Sequence, residues 1–211
     1  RDRSPSRGLG DVYKRQIPYF DKDQEGNLAV EHYEGDQYPP DVPVTDYRTF
    51  RLEDKKPDAV FIHNPYVQNN ILTSVHPDFY SSRLKKYADQ LVYLPYYTTA
   101  STDNVESVKC QERSAGFVTL SGPVNADCIV TATEQERELF INILCSWIKG
   151  VQAEQWEEKV QNFGSPKIER ARDTKRQDGS LPEKWQECLY SPDGSRKKTV
   201  FYGLSIEALL N

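Results

Sequence analysis

PDAVFIHNPYVQNN, residues 57–70, decides the fold class. Four consecutive apolar positions, Ala59–Ile62, lie between a proline and a turn rich in asparagine. A short apolar run bounded by turn formers reads as a strand buried on both faces. Two similar runs follow, in QLVYLPYY (90–97) and DCIVTA (127–132). DFYSSRLKKYAD (78–89), between the first two, has an amphipathic helical pattern. VKCQERSAGFVTLSGPVNA (108–126), between the second and third, reads as helical in part. TEQERELFINILCSWIK (133–149) carries the strongest helical signal. Its Thr133 and Glu136 suit a capping box, and Leu139, Ile143 and Trp147 form an apolar stripe. EQWEEKVQNF (154–163) predicts a further helix that Gly164 ends. KTVFYG (198–203) predicts a fourth strand. Strands alternating with helices predict an α/β fold with a Rossmann-like parallel sheet and helices on both faces.

Upstream, IPYF (17–20), DKDQEGN and LAVEHY (28–33) read as a hairpin around a polar turn. Residues 34–44 form a proline-rich loop pattern, and TDYRTFRLEDKK (45–56) predicts a short helix capped by Thr45 or Asp46. SPKIERARDTKRQDGSLPEKW (165–185) reads as a charged connector, and SPDGSRKK (191–198) as a turn.

The chain has 211 residues, 37% of them hydrophobic and 28% charged. That composition supports a sizeable core and excludes wholesale disorder. No apolar run approaches the ~20 residues of a membrane-spanning helix, and no apolar signal-peptide core opens the chain. A net charge of −5 argues against a general nucleic-acid binder. Cys110, Cys128, Cys145 and Cys188 form no CxxC pair and read as reduced, buried thiols. His32, His63 and His76 are too scattered for a local metal motif, so no metal or cofactor is expected. GxGxxG after a strand, GxxxxGK[ST], GxSxG and HExxH are all missing. This excludes a standard dinucleotide enzyme, a P-loop NTPase, an α/β-hydrolase and a zincin.

Methionine is absent throughout. The basic string RDRSPSRGLGDVYKRQ (1–16) has no helical or strand period and resembles translated sequencing-adapter sequence. The C-terminal SIEALLN reads as a helix cut in mid-element. A fragment is therefore expected, inactive alone, with residues 1–16 outside the fold.

Ligands of open α/β sheets bind beyond the carboxyl ends of the strands. That rule selects His63–Asn70, Pro95–Thr99 and Ala132–Glu134. His63 at a strand end suits a general base at neutral pH. The amides around it suit hydrogen bonds to sugar hydroxyls or phosphate oxygens. A structural histidine and ordinary turn chemistry fit the same pattern. His76, in TSVHP (73–77), sits where it could approach the same crevice or serve as a turn residue.

IPYFDKDQEGNLAVEHYEGDQYP, KKPDAVFIHNPYVQNN, TSVHPDFYSSRLKKYADQLVYLPYY and NADCIVTATEQERELF resemble the N-terminal half of CDP-glycerol glycerophosphotransferase-like proteins of gut Firmicutes. FGSPKIE resembles the glycine–x–proline–basic junction of teichoic-acid glycerophosphotransferases, and TVFYGLSIEALL their next strand. The resemblance implies a GT-B architecture. Residues 17–163 would be its Rossmann-like acceptor domain, and 164–211 the junction and start of a truncated donor domain. It implies transfer of phosphoglycerol from CDP-glycerol to a cell-wall polymer acceptor, without nucleic acid. It places the protein in the cytoplasm, with peripheral attachment at the inner face of the membrane. His63 would be the base. Asn64, Tyr66, Asn69, His76 and Tyr96 would serve the acceptor side, and Lys167 and Arg170 the pyrophosphate. Members of the family use a tryptophan–histidine–glycine motif; this chain has no such tripeptide and shows LPYY after its second strand. Val67 stands where an acidic residue is commoner. A GT-B glycosyltransferase using a sugar nucleotide and a non-enzymatic α/β ligand-binding module are the competing readings.

Overall fold

The computed structural model describes residues 14–15, 19–33, 44–66, 69–97, 108–173 and 183–200. The chain forms two compact units, Arg1–Ser165 and Pro166–Asn211.

A four-stranded parallel sheet organises the first unit. Its strands are β5 (Ala59–Ile62), β7 (Gln90–Tyr93), β8 (Cys128–Thr131) and β9 (Val160–Asn162), in that spatial order. Helices α2 (Ser81–Tyr87), α3 (Val108–Val118), α4 (Ser121–Asn125), α5 (Glu134–Trp147) and α6 (Ala153–Lys159) lie between the strands in sequence. The expected α/β parallel sheet flanked by helices is thus present.

One face of the sheet carries the core. Register places Ile62 opposite Tyr93, Tyr93 opposite Ile129, and Ile129 opposite Val160. These residues pack with Leu84 of α2, Val118 of α3, Phe140 and Ile143 of α5, and Trp156 of α6. The alternate positions point the other way. There Phe61 is 65% exposed, while Val92 and Cys128 are half-buried. The expectation of strands buried on both faces therefore fails at β5, which is an edge strand. Helices α2, α3, α5 and α6 all contribute buried residues to this one core cluster, whereas helices on both faces were expected.

The predicted helix over 154–163 is shorter. It stops at Lys159, and Val160–Asn162 become the fourth strand. Val160 is fully buried against the core, and burial overrides the helical pattern of the preceding turns. The α5 helix starts where predicted. Its buried stripe is Leu139, Phe140, Ile143 and Leu144, and Trp147 is half-exposed.

A smaller antiparallel sheet joins β2 (Tyr19–Lys22) to β3 (Leu28–His32) as the predicted hairpin, with β6 (Thr73–Val75) on the other side of β2. Gly26 at the hairpin tip has φ +84°, a conformation that suits glycine. Asp46 caps a 3-10 turn at Tyr47–Thr49, and α1 (Leu52–Lys55) is a single turn. Thr45 lies instead in β4 (Val44–Thr45), which pairs with β1 (Lys14–Arg15), so the expectation that residues 1–16 lie outside the fold fails at these two residues.

The second unit contains α7 (Pro166–Asp173), α8 (Glu183–Leu189) and a turn closed by a Tyr190–Arg196 bridge. α7 falls in the stretch read as a connector, and α8 begins at its end and runs past it. Lys198–Val200 form no strand, and residues 201–203 of the predicted fourth strand lie outside the described residues. Among the described residues no helix is long and apolar enough to cross a membrane. Cys110, Cys128 and Cys145 are half-buried and Cys188 is exposed, so the reading of all four as buried thiols fails at Cys188.

Candidate functional site

His63 follows β5 directly, and Tyr96 and Tyr97 follow β7 after the Leu94–Pro95 step. The parallel register brings both exits to the same edge of the sheet. There the rings form a row. His63 meets Tyr96 edge-on at 6.2 Å between centroids, and Tyr96 meets Tyr97 edge-on at 5.5 Å. Tyr97 then meets Phe117 of α3 at 5.4 Å, and Phe117 meets Tyr66 at 5.9 Å. His63 is exposed, and Tyr96 and Phe117 are 47% and 38% exposed.

The loop after His63 is held by close backbone contact. The Asn64 Oδ1 accepts from the Tyr66 amide at 2.8 Å. Pro65 is fully buried. The Gly122 amide donates to the Pro65 carbonyl at 3.1 Å. A Cβ on Gly122 would come within 2.9 Å of both the Asn64 carbonyl oxygen and the Pro65 Cα. Beside it, Ser121 Oγ donates to Asn69 Oδ1 at 2.8 Å. Ser81, fully buried, ties α2 to α4 by donating to the Ser121 carbonyl and accepting from Asn125 Nδ2.

Two phenol hydroxyls at this end of the sheet are buried. Those of Tyr93 and Tyr97 lie beside each other without a well-formed hydrogen bond among the described residues. Burial pushes both pKa values well above the ordinary phenol value, and the nearby Glu136 carboxylate adds to the effect. Burial, with the neighbouring Tyr96 phenol, also pushes Tyr66 up.

Glu136 itself is 3% exposed. Its amide donates to Thr133 Oγ1 at 3.1 Å, the first half of the predicted capping box. Its carboxylate reaches one residue further back than the box requires and accepts from the Ala132 amide at 2.7 Å. The start of α5 therefore uses its own side chains on these N–H groups, and it carries Glu134 as a second carboxylate. Such an end repels anions, although a bare helix N-terminus attracts them. Arg137, the nearest cation along α5, is held by the Val160 and Glu157 carbonyls and by Glu134.

Of the residues selected from sequence, His63, Tyr66 and Tyr96 belong to the ring row, and Asn64 and Asn69 to the loop that supports it. His76 belongs to another aromatic group, with Phe20, Tyr47 and Phe79 at 5.5–6.2 Å. There its Nδ1 accepts from the Asp78 amide and caps a 3-10 turn. Lys167 and Arg170 lie on α7 of the second unit, both exposed. Tyr97, Phe117, Ser121 and Glu136 were not selected. The doubled tyrosine at a strand exit was the available signal for Tyr97; Phe117 comes from a distant helix that no local pattern points to.

A separate charged cluster closes the opposite end of the sheet. Asp127 Oδ2 accepts from the Leu91 amide, and its Oδ1 pairs with Lys85 at 2.9 Å. Lys159 donates to the Val124 carbonyl at 2.7 Å and lies over the Trp156 ring. Burial, helped by the neighbouring Lys85 charge, lowers its pKa to about 8. Among the described residues no group of three or more histidines, cysteines or carboxylates could hold a metal ion.

No family model, no curated protein and no solved structure matches this chain.

Proposed function

We propose that the edge of the sheet carrying His63 and Tyr96 is the acceptor side of a glycerophosphotransferase-like enzyme of GT-B type. In this reading phosphoglycerol passes from CDP-glycerol to a cell-wall polymer at the inner face of the membrane. One observation supports it most. An exposed imidazole stands at a strand exit, edge-on to a half-exposed tyrosine and beside a loop of neutral hydrogen-bonding groups. His63 takes the proton of an acceptor hydroxyl. The freed oxygen attacks the β-phosphorus of CDP-glycerol, a new P–O bond forms, and the bond to CMP breaks. Asn64, Tyr66, Asn69 and Tyr96 position the acceptor. His76 is left out of this machinery, because its ring nitrogen serves a turn. Lys167 and Arg170 keep a donor-phosphate role only in this proposal.

CMP release from CDP-glycerol, by protein expressed from the intact gene, tests the reading. His63→Ala is expected to lower the rate by about 10²–10⁴. A parent-like rate in that variant removes His63 as base. A glycosyltransferase using a sugar nucleotide is the second reading, favoured by the row of aromatic rings at the site. Release of nucleotide from a UDP-sugar but not from CDP-glycerol would establish it instead.

A further inference from the structure

We infer that the surface formed by Tyr96, Tyr97 and Phe117 binds a neutral pyranose ring and discriminates against phosphate groups. The inference rests on the acceptor role proposed for this edge and names the chemistry of what is accepted.

Three observations carry it. The first is the ring row. Tyr96 and Phe117 present partly exposed aromatic surface on either side of Tyr97. A pyranose has an apolar C–H face that packs on such rings, while its hydroxyls meet polar groups at the rim. The second is the polar rim. Asn64 and Asn69 each use the side-chain carbonyl oxygen within the protein, on the Tyr66 amide and the Ser121 hydroxyl. What each amide has left for a ligand is its NH2 group, a neutral donor suited to hydroxyl or acetamido oxygens.

The third is charge. Residues 59–66, 93–97, 114–122 and 131–136 of this edge contain no lysine or arginine; Arg113, one turn before Phe117 on α3, flanks it, and Arg137 is held by Glu134 and by the Val160 and Glu157 carbonyls. The start of α5 adds two carboxylates, Glu134 and Glu136, and its Ala132 and Glu136 amides are already taken. A phosphate here would meet two like charges at the start of α5. A neutral ring meets no such penalty.

Ligand-observed NMR on the 211-residue protein tests this, with maltose and chitobiose as neutral probes and inorganic phosphate and glycerol 3-phosphate as charged ones. At least one disaccharide is expected to bind with millimolar affinity. Tyr96→Ala and Phe117→Ala should each weaken it about fivefold, while Tyr96→Phe keeps the ring and most of the affinity. Thermal unfolding of each variant shows whether the fold is retained, and both side chains are exposed enough for that. Neither anion, at about 20 mM, should displace the sugar from this millimolar site. Displacement by either anion overturns the inference. So does failure of both disaccharides to bind, or binding that Tyr96→Ala leaves unchanged. The transferase reading fails separately. Sugar binding that depends on Tyr96, with no CMP release from CDP-glycerol, would remove the transferase and leave the pyranose site standing.

Discussion

The Gly122 amide meets the Pro65 carbonyl at 3.1 Å, with no room for a side chain between the two segments. Through this contact α4 fixes the loop that carries His63. The atoms a Cβ would strike are backbone, which cannot swing aside. Gly122→Ala is expected to cost about 1–3 kcal/mol, as overpacking does in a filled core. Urea unfolding measures the loss. Chemical shifts of Asn64 and Tyr66 should move in the same variant, and unmoved shifts would show that the loop is held by something else.

Glu136 joins the end of β8 to the start of α5 through Ala132. Glu136→Ala leaves a half-buried amide without an acceptor and should destabilise by about 1–3 kcal/mol. Glu136→Gln keeps an acceptor oxygen and should cost clearly less. Equal losses in the two variants would mean that charge, not the hydrogen bond, is what matters.

The Tyr93 hydroxyl is buried beside the Tyr97 hydroxyl, without a well-formed hydrogen bond. Removing it deletes a desolvated polar atom and leaves the ring. Tyr93→Phe should therefore be neutral or stabilising, by up to about 1 kcal/mol. A loss of more than that in thermal unfolding would reveal a hydrogen bond that this hydroxyl makes. In the parent, spectrophotometric titration should leave the Tyr93 and Tyr97 phenols un-ionised until the alkaline unfolding transition.

Lys159 gives a pH signature. Its pKa, lowered by burial to about 8, is well below the ordinary lysine value of 10.5. Between those values the unfolded chain holds the proton and the folded chain releases it, so stability rises with pH. Below pH 8 the full penalty of the buried charge is present. Compared with Lys159→Met, the parent should gain about 2–3 kcal/mol between pH 7 and 10. A pH-independent difference would show that Lys159 titrates normally.

Asp127 acts with the opposite sign. Burial alone would raise its pKa, yet the hydrogen bonds from Lys85 and the Leu91 amide outweigh it and hold the carboxyl below 3.8. Its stabilisation is present above that value and disappears as pH falls through the folded pKa. Lys85→Met should cost about 0.5–1 kcal/mol at pH 7, a partly exposed pair being worth little more. The cost should vanish near pH 2.

The sheet was legible because β5, β7 and β8 are continuous apolar runs framed by turn formers. β9 was not, because Val160–Asn162 follow α6 without a glycine or proline to mark the change. The helices of the second unit are charged and have no buried residue. They lack the apolar stripe by which α5 was recognised. At the site, sequence located the strand exits and hence His63, Asn64, Tyr66, Asn69 and Tyr96. It left His76 open between turn and ligand, because a histidine before proline looks the same whether it caps a turn, as it does here, or faces a ligand. Phe117 and Gly122 were invisible for a different reason. Each matters through a contact with a segment about 20 to 60 residues earlier, and no local pattern encodes that distance.

The spatial order β5–β7–β8–β9 is also the order of synthesis. Each new strand finds its neighbour already made and docks on the edge left by the strand before it. The sheet can thus grow as the chain leaves the ribosome, one strand at a time, without waiting for a distant partner. An insertion that delays β7 should stall everything after it and leave β5 alone with its apolar side to the solvent.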